Sequence, residues 1–173
     1  MDTFLKKFKE FDFYLIHQDS DWWKEIINLG HKCDKEFIPN LSERMPIEDY
    51  FKRFRNENGF TLIAVKNGSF VGCLCNFYKH PETKRPWYQC IIIDELYREN
   101  KLANIFYNLS DEILFKRGEF FVQGRTWTQN LRNRKALKTI GFYHTNTKMN
   151  DRGNGIHTLL YEKCLYKTDY FNS

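Results

Sequence analysis

The order of apolar and polar positions predicts strands and helices interleaved along the whole chain. Alternating or continuously apolar stretches of four to eight residues are typical of strands, whereas apolar residues three or four positions apart are typical of helices. Both patterns occur here, in the order βααβββαβαββ. The predicted strands are 12–17, 60–65, 70–78, 87–94, 120–127, 142–149 and 156–165, and the predicted helices contain 22–29, 46–54, 102–116 and 130–140.

Two of these predictions have strong local signals. Residues 60–65 and 70–78 flank Lys66-Asn67-Gly68-Ser69, which is a tight-turn sequence, so the two segments are predicted to form a β-hairpin. The stretch from Cys90 to Ile93 is apolar on both faces. A strand of that kind is expected in the middle of a sheet.

Length and composition favour a single domain spanning residues 1–173. Apolar residues make up 42% of the chain and aromatic residues 17%, which is enough for a core that needs no metal or disulfide support. No linker, repeat or low-complexity block divides the sequence.

The charge pattern narrows the classes of partner. The net charge of +5 is compatible with an anionic ligand, but the charge is spread out and no nucleic-acid recognition motif occurs, so no nucleic-acid partner is expected. No stretch reaches the ~20 apolar residues of a membrane span, and the N-terminus lacks the apolar core of a signal peptide. We therefore expect a cytoplasmic protein with no membrane partner.

The five cysteines are expected to be free thiols. Cys73, Cys75 and Cys90 lie in apolar runs typical of buried strands, and no second pair or histidine cluster stands at zinc-ligand spacing. No metal cofactor is therefore expected.

Two segments carry a resemblance to a known family. Residues 92–103 run from an apolar strand into a loop, and the six-residue segment at its end begins with Arg98 and ends with Ala103. Residues 130–142 begin with Asn130 and end with Gly141-Phe142. The first segment resembles the strand, loop and Arg/Gln-x-x-Gly-x-Gly/Ala pyrophosphate signature of the GNAT N-acyltransferase superfamily. The second is similar to the asparagine-rich short helix of the same superfamily.

The resemblance implies a fold and a reaction. The fold would be α/β (α+β), with a mixed, mostly antiparallel central sheet of about seven strands flanked by about four helices. The reaction would be acyl transfer from acetyl-CoA, or another acyl-CoA, to the amine of a small acceptor. Because residues 130–142 are similar to members that acylate amino sugars attached to nucleotides, such compounds are one candidate acceptor. A homodimer is a further possibility that the sequence leaves open.

The resemblance also implies which residues bind coenzyme A. A helix beginning near Arg98 would present unpaired backbone amides to the pyrophosphate, and the backbone of the preceding strand would hold the pantetheine arm and polarise the thioester. The segment at Asn130 would contact the coenzyme as well, although an ordinary helix cap explains that asparagine equally well. Among the nearby cations, Arg134 and Lys135 are candidate phosphate contacts. The implied coenzyme-binding residues are Ile91, Ile92, Ile93, Arg98, Glu99, Asn100, Lys101, Leu102, Ala103, Asn130 and Asn133.

Three departures from the family pattern matter for function. Lys101 and Glu99 stand where glycine is usual or frequent, and Leu137 stands where many members have the tyrosine that protonates the leaving thiolate. A module of this fold that has lost catalysis and binds a ligand or partner is therefore the alternative prediction.

Direct transfer requires a group that removes a proton from the attacking amine, because a primary amine is mostly ammonium at neutral pH. Asp94 follows the central strand and His144 lies in the strand after Gly141. Both residue types can be tuned toward a neutral pKa, which makes these two the candidate catalytic residues.

Overall fold

The computed structural model describes residues 1–165, and all its strands belong to one sheet. The sheet has eight strands in the order β1-β2-β3-β4-β5-β6-β8-β7. Neighbouring strands are antiparallel except β5 and β6, which are parallel. The strands are β1 Thr3–Phe8, β2 Phe11–Ile16, β3 Gly59–Lys66, β4 Ser69–Phe77, β5 Trp87–Ile93, β6 Phe121–Trp127, β7 Tyr143–Lys148 and β8 Thr158–Cys164. The helices are α1 Trp22–Cys33, α2 Leu41–Arg44, α3 Ile47–Lys52, α4 Leu102–Lys116 and α5 Leu131–Thr139.

The mixed α/β fold and most of the predicted elements are confirmed. β3 and β4 form the predicted hairpin, and β5 is the fifth of eight strands, as its two-sided apolar character predicts. The thiols of Cys73, Cys75 and Cys90 are free and buried. The helices cover both faces of the sheet, with α1 and α3 packed on one face and α4 on the other.

The sequence prediction missed the first strand. β1 pairs with β2 at the sheet edge, from Thr3 opposite Leu15 to Phe8 opposite Phe11. Its residues are exposed or half-buried throughout, and the side chain of Phe4 is 54% exposed. An edge strand without a buried face leaves no alternating pattern, so hydrophobic periodicity could not reveal it.

The predicted start of the long helix near Arg98 was wrong. The chain leaves β5 through a 3₁₀ turn, Glu95–Asn100, in which the side chain of Asp94 accepts a hydrogen bond from the amide of Leu96. Lys101 then adopts a left-handed conformation with φ of 59°, and α4 begins at Leu102. A left-handed residue cannot continue a right-handed helix, so Lys101 separates the turn from α4.

Among residues 1–165, the helices are all too short or too polar to cross a bilayer.

Candidate functional site

The sheet opens between its two parallel strands. β5 and β6 pair at only two positions, Trp87 opposite Gln123 and Tyr88 opposite Gly124. At the same point the register between β4 and β5 shifts, which leaves Gln89 as an extra residue in β5. A bulge bends its strand and increases the local twist. The rest of β5 consequently diverges from β6.

A cavity of about 460 Å³ lies in this opening. Its walls come from β5, β6, α5, the N-terminus of α4 and the chain at the end of α1. We name its two ends by their elements, because they differ in chemistry. The residues from the α4 side are Arg98, Lys101 and Ala103, and those around the start of the opening and β6 are Phe37, Gln89, Arg125 and Trp127; we call these the α4 end and the β6 end.

The α4 end offers donors to an anion. No side chain caps the N-terminus of α4, and within residues 1–165 the amides of Leu102 and Ala103 have no acceptor. Such amides carry the positive end of the helix dipole. The side chain of Lys101 is exposed beside them, and the exposed Lys135 lines the same cavity from α5. This end therefore fits a diphosphate.

The signature residue Arg98 lines the cavity, but its guanidinium is held by the protein. Its Nε donates to the carbonyl oxygen of Ile93 at 2.9 Å, and its Nη2 donates to Glu36 Oε1 at 2.6 Å. The bond to the Glu36 carboxylate raises the pKa of Arg98. The side chain thus fixes the loop after β5 to the segment after α1, and its charge is already compensated.

The neighbouring signature residues differ in how they meet the cavity. Glu99 is exposed and lines it. The Asn100 side chain turns back to donate to the carbonyl of Tyr97 at 3.1 Å and lies outside the lining. The Leu102 side chain is completely buried, so this residue can act on a ligand through its backbone amide alone.

The asparagines of the second segment both line the cavity. Asn130 Oδ1 accepts from the amide of Asn133 at 3.1 Å, which is the helix cap expected for this position. Asn133 Oδ1 accepts from the hydroxyl of Tyr107 at 3.3 Å. Lys135 lines the cavity too, whereas Arg134 donates to the carbonyl of Thr128 and does not.

The two candidate catalytic residues lie outside the cavity lining. Asp94 Oδ2 accepts from Lys32 Nζ at 2.8 Å, and this hydrogen bond is the main reason that the pKa of Asp94 is lowered. His144 is exposed on β7, where its Nε2 is 2.9 Å from Thr147 Oγ1. The structure therefore brings neither group to the opening between β5 and β6.

Two cysteines do line the cavity, but as thiols. Burial raises the pKa of Cys33 to about 11, and burial raises the pKa of Cys90 well above its ordinary value. Neither supplies a thiolate nucleophile at neutral pH. Within the described part of the chain, no three His, Cys, Asp or Glu side chains are grouped so that they could hold a metal ion.

Sequence reasoning did not identify Glu36, which pairs with Arg98 at the α4 end, or the residues that shape the β6 end. Glu36 and Phe37 follow α1 in a segment with no motif, and they reach the cavity through the packing of α1 on the sheet. Arg125 and Trp127 are two residues apart on β6 and share one face, so alternation along that strand could have paired them.

Comparisons with known proteins identify the fold. No family model matches the sequence, and neither does any curated protein. Solved structures do match. One is assigned to the GNAT family and comes from Desulfovibrio desulfuricans, with a TM-score of 0.75, 12% identity, and coverage of 90% of this chain and 99% of the other. Another is an acetyltransferase of the GNAT family from Streptococcus pneumoniae, with a TM-score of 0.69 and 18% identity. The match covers 90% of this chain and 99% of the other.

A third structure carries a ligand. It is an aminoglycoside 6′-N-acetyltransferase complexed with coenzyme A, with a TM-score of 0.71, 12% identity, and coverage of 89% of this chain and 98% of the other. At these identities the likeness concerns the fold. The chain has the GNAT fold, and the resemblance seen in its sequence is confirmed at that level.

Proposed function

We propose that this protein is an acyl-CoA-dependent N-acyltransferase, in the simplest case an N-acetyltransferase, acting on the amine of a small acceptor. The observation that supports this most is the opening between β5 and β6. It forms one cavity that runs from unpaired helix amides to an aromatic and polar pocket. A thioester with a diphosphate at one end and a reactive carbonyl at the other needs a site of that shape.

The residues take the following roles in this proposal. The amides of Leu102 and Ala103, with the cations of Lys101 and Lys135, bind the diphosphate. The backbone of 91–93 lies beyond the last pair with β6, and it hydrogen-bonds the pantetheine arm through groups other than the carbonyl of Ile93, which accepts from Arg98. Arg98 acts as a positioning residue, because it holds the loop on which these amides lie. Glu99 and Asn100 shape that loop, and Asn130 and Asn133 border the coenzyme from α5.

The transfer step needs no covalent enzyme intermediate. The neutral amine nitrogen of the acceptor attacks the thioester carbonyl carbon, so that a C–N bond forms and the C–S bond breaks. The backbone donors of β5 stabilise the charge that develops on the carbonyl oxygen. The coenzyme leaves as a thiolate, which takes up a proton, and the amine nitrogen loses one.

The group that removes the amine proton is to be found by substitution. Asp94 and His144 stay predictions, and each would have to act through a relay, since neither lines the cavity. His144→Ala is expected to leave the fold intact, because the side chain is exposed. A loss of kcat of more than tenfold in this variant would support a catalytic role, and an unchanged kcat would remove His144 from consideration.

The acceptor is proposed as a small amine, with amino sugars attached to nucleotides as one candidate. Several solved structures with this fold are described as aminoglycoside or streptothricin acetyltransferases, which act on small molecules. Function in the cytoplasm, without nucleic acid or membrane, belongs to the same proposal.

Coenzyme binding can be tested by thermal unfolding. Acetyl-CoA or free CoA is expected to raise Tm, because a ligand that binds only the folded state stabilises it. Lys101→Glu should weaken CoA binding by about tenfold, which corresponds to about 1.4 kcal/mol. Lys116→Glu is the matched control, since it makes the same charge reversal at the other end of α4.

A second candidate function is a CoA-binding module without catalysis. It is favoured by Leu137, which is 2% exposed at the position where many members of the fold have a tyrosine acid. A Tm shift with CoA, together with no thiol release from acetyl-CoA for any amine, would select this alternative. No shift with either ligand would contradict both functions.

A further inference from the structure

Three arginines gather at the β6 end of the cavity. Arg125 lines the cavity itself. Arg44, at the end of α2, and Arg152, in the turn after β7, donate to the same carbonyl oxygen, that of Ile38, at 2.8 and 2.6 Å. The guanidinium of Arg152 also lies 5.0 Å from the ring of Trp127, which lines the cavity two residues after Arg125. Three separate parts of the chain thus bring cations to one place.

The protein offsets these charges only in part. Within residues 1–165 none of the three arginines takes part in an ion pair, in contrast to Arg98 at the α4 end. Arg44 donates to backbone carbonyls, and Arg152 donates to one carbonyl and to the hydroxyl of Thr158. The carboxylate of Asp151 accepts from that same hydroxyl at 2.6 Å, and its charge partly offsets those of Arg152 and Arg44 without forming an ion pair with either.

The three cations consequently repel one another. The pKa of Arg152 is lowered to about 10, first by burial and then by the charges of Arg44 and Arg125. Arg44 is more exposed than Arg152, and its pKa is lowered as well, by partial loss of solvation and by the charge of Arg125. Like charges that repel one another and that a nearby carboxylate offsets only in part are unfavourable, and an anion placed among them would relieve that repulsion.

The same end of the cavity has an unused hydrogen-bond acceptor. The Oε1 of Gln89 is buried and has no partner, while its Nε2 lies 3.4 Å from the hydroxyl of Tyr50. Gln89 is the bulge residue of β5 and lines the cavity at the point where β5 leaves β6. A buried acceptor without a donor is costly, and an amine N–H would satisfy it.

We propose that the acceptor is an amine that also carries an anionic group, a carboxylate or a phosphate, bound by Arg125 in the field of Arg44 and Arg152. The amine lies toward Gln89 and the thioester, and the anion lies toward the arginines. This inference rests on the proposed acyltransferase function and specifies its acceptor. It separates this protein from enzymes of the same fold whose acceptors are polycations such as aminoglycosides, because a polycation would be repelled by the β6 end.

The first test uses protein saturated with CoA, so that the α4 end is already filled. Inorganic phosphate, and in a second arm sodium acetate, is titrated at constant ionic strength while Tm and tryptophan fluorescence are followed. A saturable rise in Tm of a few degrees is expected, and the anion that gives the larger effect identifies the preferred group. Arg125→Gln should abolish this rise, Arg125→Lys should keep part of it, and the exposed Arg85→Gln should keep all of it.

The outcomes separate this inference from the function on which it rests. If CoA raises Tm but neither anion does, the proposal of an anionic acceptor is wrong, whereas the proposal of coenzyme binding is supported. The same conclusion follows if Arg125→Gln responds to the anions as the wild type does. If CoA itself has no effect on Tm, the acyltransferase proposal fails first, and the inference fails with it.

Thiol release from acetyl-CoA provides a second test with matched acceptors. One pair is an amino acid and its carboxamide, and the other is an amino-sugar phosphate and the same sugar without phosphate. For at least one pair, the anionic member should have a kcat/KM at least tenfold higher, and Arg125→Gln should reduce this preference mainly through KM. Equal or better use of the uncharged members would overturn the inference.

Discussion

The guanidinium of Arg98 is bound to the carboxylate of Glu36, with 2.6 Å between Nη2 and Oε1. The two residues are 62 positions apart, and their pairing joins the end of α1 to the loop that leads into α4. The residue that the sequence assigned to phosphate binding is thereby used to hold the phosphate-binding loop. Glu36 also places a negative charge at the cavity.

Removing that charge should strengthen coenzyme binding. Glu36→Gln keeps a hydrogen-bond acceptor for Arg98 but leaves its positive charge uncompensated. We expect the Kd for CoA to fall by about fivefold, since one added charge near the diphosphate contributes about 1 kcal/mol. Calorimetric titration measures the change, and Glu57→Gln, on an exposed loop, is the control. Unchanged or weaker binding in Glu36→Gln would contradict this account.

The left-handed conformation of Lys101 predicts a difference between two substitutions. Lys101→Ala and Lys101→Gly remove the same charge, so both should weaken CoA binding equally. Glycine adopts a φ of 59° without strain, whereas alanine does not. Lys101→Gly should therefore be about 1 kcal/mol more stable than Lys101→Ala in chemical denaturation. Equal stabilities would mean that the backbone is not strained at this residue.

The ion pair of Asp94 and Lys32 predicts that the stability of the fold depends on pH. The hydrogen bond to Lys32 lowers the pKa of Asp94 and raises that of Lys32. The pair therefore contributes stability between the unfolded-state pKa values of the two groups. This contribution is lost as the pH falls below about 4, through the folded pKa of Asp94, and as it rises above about 10, through that of Lys32. Asp94→Asn should lower Tm at pH 7 and have no effect near pH 2.

A matched variant separates structural and catalytic roles of Asp94. Lys32→Met breaks the same ion pair but keeps the carboxylate. If Asp94 only stabilises the loop, the two variants lose kcat equally, whereas a catalytic Asp94 predicts a much larger loss for Asp94→Asn.

A buried network behind β5 predicts a large loss of stability. Asp111 on α4 accepts hydrogen bonds from the hydroxyl of Tyr88, at 2.6 Å, and from the ammonium of Lys163. The side chains of Asp111 and Lys163 are 10% and 14% exposed. Asp111→Ala would leave a buried cation and a buried hydroxyl without a partner, so we expect the free energy of unfolding to fall by about 3 kcal/mol.

The surface offers a control for that measurement. Asp12 pairs with Lys7 at 3.7 Å, and the side chain of Lys7 is 65% exposed. Asp12→Ala should therefore change the free energy of unfolding by less than about 1 kcal/mol. Similar losses in the two aspartate variants would show that the Asp111 network is not effectively buried.

Local sequence signals predicted the elements but not what their side chains contact. The hairpin at Asn67-Gly68 and the two-sided apolar β5 could be read directly, because turn chemistry and burial leave patterns within a few residues. The pairing of Arg98 with Glu36, and the meeting of Arg44 with Arg152 at one carbonyl, depend on elements far apart in the chain. No pattern within one segment encodes such contacts, so the arginine cluster at the β6 end could not be predicted from sequence.

Substitution by alanine is expected to affect stability and CoA binding at one glycine beside the opening but not at another. A Cβ at Gly72 on β4 would lie 2.6 Å from the carbonyl oxygen of Ile92 and 2.9 Å from the Cα of Ile93, both in the backbone of β5. Gly72→Ala must therefore displace the strand proposed to bind the pantetheine arm. We expect a loss of about 2 kcal/mol in stability and weaker CoA binding.

Gly124 on β6 is the control, because its added Cβ would make an ordinary contact, 3.5 Å from the carbonyl oxygen of Tyr88. Gly124→Ala should retain both stability and CoA affinity, and equal effects of the two substitutions would show that the position of β5 does not control coenzyme binding.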